Sequence, residues 1–62
     1  MSIYFIHAEA IKLGGAVVER VSHLIEADSA AAANSAFLAS DAVTGARERA
    51  LLVVIDKFEK VE

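Results

Sequence analysis

Two histidines and a glutamate are the side chains best suited to chemistry in this sequence. His7 and Glu9 lie two apart, which puts them on one face of an extended strand, and His23 follows sixteen residues after His7. Imidazole and carboxylate groups gathered this way hold a divalent metal or move a proton. The pairing derived below sends His23 to the opposite face from His7, and two histidines fall short of the three protein ligands of a catalytic metal site. A dimer gathering four histidines is the one arrangement that would rescue the idea. The plainer reading makes His23 a hydrogen-bonded, partly buried residue and sets His7 at the edge of an interface.

Other reactive groups lead to the same place. Ser22, Ser29, Ser35, Ser40 and Thr44 include no nucleophile elbow of the G-x-S-x-G type. Gly14 and Gly15 belong to neither phosphate-binding glycine pattern and read as a turn. The sequence therefore predicts no enzyme, no metal and no cofactor. Its basic residues Arg47, Arg49, Lys57 and Lys60 alternate with Glu48, Asp56, Glu59 and Glu62. Such alternation marks a solvated, salt-bridged surface. With a net charge of −3, nucleic-acid binding through those four bases is the second choice, and attachment to anionic lipid is not expected.

The elements that must position these residues follow from hydrophobic patterning. Ser2 to Lys12 reads as a strand rich in β-favouring types, with Ile3, Tyr4, Phe5 and Ile6 near its start. Gly14-Gly15 supplies a two-residue hairpin loop, and Val17 to Ala27 returns as a second strand. Residues then face each other where their numbers sum to 29. Glu9 meets Arg20, Phe5 meets Leu24 and Ile11 meets Val18, which are favourable cross-strand pairs. Ile3 against Glu26 and Ile6 against His23 are less favourable. Asp28 is the expected N-cap of an alanine-rich helix from Ser29 to about Asp41, whose stripe is Ala30, Ala33 and Phe37 with Leu38 at its edge. Ala42 to Arg49 is expected to connect around Gly45, and Ala50 to about Val61 to form the last strand. Helical spacing is a rival reading for both 17–27 and 50–61, decided for strand by the valines and isoleucines.

The expected fold is α+β: one domain over residues 1–62, ordered β-β-α-β, with a three-stranded, mostly antiparallel sheet and one helix on one face. Tyr4, Ile6, Ala8 and Ala10, with Val21, His23 and Ile25, form the core face. The other face carries Ile3, Phe5, His7, Ile11, Val18 and Leu24 with the Glu9–Arg20 pair, and is too apolar for water. In a chain of 62 residues, 56% of them hydrophobic and none of them cysteine, a partner subunit is the remaining way to complete a small core.

The sequence thus predicts a small, non-catalytic homodimer that binds another protein, as an inhibitor or adaptor, of the kind used as bacterial or phage accessory proteins. The outward residues of the helix, Ala31, Ala32, Asn34, Ser35 and Ala39, are a second possible contact surface. A third reading is a small-molecule site at the dimer interface, lined by Tyr4, Phe5, His7 and Leu24. Met1–Ile6 lacks the basic start of a secretory leader, and no apolar run is long enough to span a bilayer. A cytoplasmic location is expected.

Overall fold

The computed structural model describes residues 1–62. Two long strands come first, β1 (Ser2–Ile11) and β2 (Val17–Ala27). Two short helices follow, α1 (Ala30–Leu38) and α2 (Asp41–Glu48), and the chain ends in β3 (Leu52–Lys60). The sheet is antiparallel throughout, with the order β2-β1-β3, so the first strand is central. The α+β class and the three-stranded sheet agree with the sequence; the helix count does not.

From Ser2–Ala27 to Ala10–Glu19 the hairpin keeps partners whose numbers sum to 29. Nearer the loop the register shifts, and Ile11 pairs with Val17 rather than Val18. The cause lies in the turn. Lys12 N–H donates to Ala16 C=O at 3.0 Å, and Gly15 N–H donates to Lys12 C=O at 2.9 Å. The loop is therefore Leu13-Gly14-Gly15, one residue longer than Gly14-Gly15 alone. Gly14 (φ +104°) and Gly15 (φ +95°) take backbone angles that L side chains avoid. Val18 becomes the extra residue of a β-bulge that restores the register.

A second bulge lies in β3. His7 pairs with Lys57 and Ala8 with Ile55, so Asp56 is the residue left without a partner. Glu9–Val54, Ala10–Val53 and Ile11–Leu52 continue the ladder. Past Lys60, Val61 N–H donates to Ile3 C=O at 2.7 Å.

Helix α1 is capped by Ser29, not Asp28: the Ser29 hydroxyl accepts from Ala32 N–H at 3.1 Å. It ends at Leu38, earlier than expected, where Ser40 N–H and its hydroxyl both donate to Phe37 C=O. Ala33 and Phe37 are buried and Leu38 partly so, but Ala30 lies outside the core. The expected connection around Gly45 is helix α2. Gly45 and the β-branched Val43 and Thr44 argued against a helix. Tertiary burial overrides them, because Val43 and Ala46, three apart, share the face that enters the core. Asp41 in the first turn and Arg47 in the last also suit the helix dipole.

Helix α2 closes with a Schellman motif. Leu51 N–H donates to Ala46 C=O at 3.0 Å and Ala50 N–H to Arg47 C=O at 2.9 Å. The left-handed position of that motif is Ala50, at φ +61°, where glycine is the usual occupant.

Both helices lie on the even-numbered side of β1. Tyr4, Ile6, Ala8 and Ala10 are buried there with Ala27, Ala33, Phe37, Val43 and Ala46. Val21, Ile25, Val53 and Ile55 pack around them. The His23 ring meets Phe37 edge-on, with centroids 5.4 Å apart. Ala8 and Ala10 leave room for the helices on the central strand. Only nine residues are buried, a small core for any chain.

Candidate interaction face

The odd-numbered residues of β1 form the other face, and no element of the chain covers it. Along β1 it carries Ile3, Phe5, His7, Glu9 and Ile11, all half-buried between the flanking strands. Beside them, β2 contributes Leu24 opposite Phe5 and Arg20 opposite Glu9. From β3 come Lys57 opposite His7, Val54 opposite Glu9 and Leu52 opposite Ile11. Leu24 is 70% exposed, Leu52 65% and Val54 39%. Ser22, Glu26 and Glu59 lie on the same face, so exposed apolar side chains alternate there with polar ones.

Three charged pairs lie on this face, while Glu26 opposite Ile3 and Ser22 opposite His7 stand without a side-chain partner. Arg20 Nε donates to Glu9 at 3.2 Å, as the hairpin pairing predicts. Lys57 Nζ lies 3.3 Å from Glu59 and 5.8 Å from the centroid of the Phe5 ring. The His7 imidazole bonds through Nδ1 to the Asp56 carboxylate. An ionised carboxylate only accepts, so Nδ1 is the donor in this pair. Sequence reasoning missed Asp56. Strict alternation places it on the core side, and only the bulge turns it to His7.

Of the six residues singled out, Ile3, Phe5, His7, Ile11 and Leu24 share this face. Val18 is displaced by its bulge, although it stays 49% exposed. The small-molecule reading needs a correction. Tyr4 is buried on the helix side against Phe58, with ring centroids 5.8 Å apart, and cannot line a site with Phe5, His7 and Leu24. The one surface concavity lies elsewhere, at the hairpin end, between Ile11, Leu13, Gly14, Ala50 and Leu52.

The four bases do not converge. Arg49 is 3.1 Å from Glu19 and Lys57 is paired with Glu59. Lys60 sits opposite Tyr4 and Lys57 opposite His7, both far along β3 from the end of α2 that carries Arg47 and Arg49. No group of three or more His, Asp or Glu side chains is placed to hold a metal ion, and His7 and His23 lie on opposite sides of the sheet. No helix is long and apolar enough to cross a membrane. On the outer side of α1, Ala31, Ala32, Ser35 and Ala39 are exposed and Asn34 is half-buried.

Comparison with protein-family models, with curated proteins and with solved structures returns no match.

Proposed function

We propose that this protein is a non-catalytic, homodimeric protein-binding module, an inhibitor or adaptor, which self-associates through the open sheet face. The observation that carries the reading is the exposure of Leu24, Leu52 and Val54 beside Phe5 and Ile11, on the one face that neither helix covers. Burying apolar surface contributes about 25 cal/mol per Å², and a nine-residue core leaves much of that contribution unused within one chain. A cytoplasmic setting, with a bacterial or phage accessory role, belongs to the same proposal. In the dimer, the exposed side of α1 stays outward and is the surface left for a second protein.

Affinity capture with the wild-type protein and with a Phe5→Lys variant tests this. A specific protein retained by the dimer, and not by a Phe5→Lys chain that is still folded, supports it. Binding to DNA or RNA that weakens steeply with salt would replace it with the nucleic-acid reading, for which Arg47 and Lys60, the two of those four bases without an ion-pair partner, are the starting point.

A further inference from the structure

Helix α1 packs mainly on β2, so the surface left for a second protein borders the free edge of that strand. The inference drawn from this edge rests on the protein-binding reading above, not on the homodimer, and specifies what the partner presents.

Backbone pairing decides which groups of β2 face outward. Ile3 N–H donates to Glu62 C=O, and Ile3 C=O accepts from Val61 N–H, so the backbone of Ile3 points toward β3. That direction alternates along a strand of an antiparallel ladder. The even residues of β1 therefore bond to β2, where they pair with odd residues: Tyr4 with Ile25, Ile6 with His23 and Ala8 with Val21. The N–H and C=O groups of Arg20, Ser22, Leu24 and Glu26 are left pointing away from the sheet. No turn, loop or side chain of the molecule bonds them, and all four residues are exposed.

The two edges of the sheet are not equivalent. β3 is interrupted by its bulge at Asp56 and carries Lys57, Glu59 and Lys60 beyond it, and bulges and charges are how proteins keep edges from pairing. β2 has its one irregularity at Val18, beside the hairpin loop, and pairs regularly from Glu19 to Ala27. On the helix side of that regular stretch, Val21, His23 and Ile25 are only half-buried. A strand laid along the edge would cover them further, and alternation gives it apolar residues at the matching positions. On the other side it meets Leu24 and Glu26. Glu19 and Arg20 already have ion-pair partners within the chain, whereas Glu26 has none. The side chain that complements Glu26 is a base.

We infer that β2 takes an extended segment of a partner protein as a fourth, antiparallel strand, with apolar side chains opposite Val21, His23 and Ile25 and a lysine or arginine opposite Glu26. Strand addition of this kind draws affinity from main-chain bonds and specificity from alternate side chains, and the antiparallel sense is the more stable per residue.

The probe is a heptapeptide with both ends blocked: lysine first, valine second, fourth and sixth, leucine third, threonine fifth and seventh. Amide hydrogen exchange of the full chain, read by nuclear magnetic resonance, tests the inference. The N–H groups of Arg20, Ser22, Leu24 and Glu26 should exchange fast in the free protein and slow together when the peptide is added. Glu26→Lys should weaken this peptide, and strengthen one with glutamate first, each by about fivefold, the upper range for an exposed charge pair. Slow exchange of the four groups without peptide would mean that a second copy already holds the edge, and overturns the inference. Slowing confined to β3, or shifts confined to α1 or the open face, overturns it and leaves the protein-binding reading standing. Failure of both peptides to bind also overturns it, and the capture experiment above then decides the protein-binding reading by itself.

Discussion

His7 and Asp56 are joined across the sheet only because β3 carries one residue too many. Asp56 is the bulged residue between the partners of His7 and Ala8, and its carboxylate accepts from His7 Nδ1. Without the bulge, alternation would put the carboxylate among the core residues, where an unpaired charge is costly. The bulge thus gives an acidic residue a polar partner on the open face and interrupts an edge strand at the same point.

The pair also reports on whether the face is covered. Exposed ion pairs couple by about 0–1 kcal/mol, whereas pairs removed from water couple more strongly. With a second copy covering the open face, a double-mutant cycle of His7→Ala and Asp56→Ala in urea unfolding is expected to give a coupling above about 1 kcal/mol. A smaller value would mean that water still reaches the pair in the folded protein.

Phe5→Lys is expected to abolish the dimer. It puts an ammonium in the middle of the apolar face, beside the Lys57 ammonium that now lies over the Phe5 ring. Size-exclusion chromatography should show a monomer, or a chain that no longer folds. A folded dimer carrying this substitution would rule out the face as the site of association.

Gly45→Ala should stabilise the protein by about 0.5–1 kcal/mol, the helix-propensity gain of alanine over glycine. Gly45 lies inside α2 without a positive φ, and a Cβ built on it meets no atom within 4 Å. Thermal unfolding reads the shift; a loss of stability would show that the glycine serves some other purpose.

Ala50→Gly is the mirror experiment, since Ala50 holds the left-handed position that closes α2. A left-handed alanine carries about 1–2 kcal/mol of strain, partly offset by the added freedom of glycine in the unfolded chain. A net gain of up to about 1 kcal/mol is expected by chemical denaturation, and destabilisation would contradict the assigned conformation.

Ser29→Ala should cost about 0.5–2 kcal/mol through loss of the cap on Ala32 N–H. Asp28→Ala serves as the comparison, because Asp28 makes no capping bond. Equal losses in denaturant titrations of the two variants would move the start of α1.

The sheet was legible from sequence because its signals are local and redundant. Ile3 to Ile6 and Val53 to Ile55 favour extended backbone, and the Glu9–Arg20 pair tied the hairpin register to charge as well as hydropathy. What escaped detection turns on single residues. The bulges at Val18 and Asp56 shift the ladder by one position with no motif to mark them, so Ile11 took the wrong partner and the link between Asp56 and His7 went unseen. Helix α2 was hidden because Gly45, Val43 and Thr44 all oppose it locally, and only burial of Val43 and Ala46 outweighs them. Ser29 and Asp28 are both good caps by type, and the chain path chose between them.

The most direct test of the account is the mass in solution, measured by light scattering over a concentration series. Twice the 6.6 kDa chain mass at every concentration is the predicted result. A folded protein of one chain mass throughout would contradict self-association, and would leave Leu24, Val54 and Leu52 as a face awaiting a different partner.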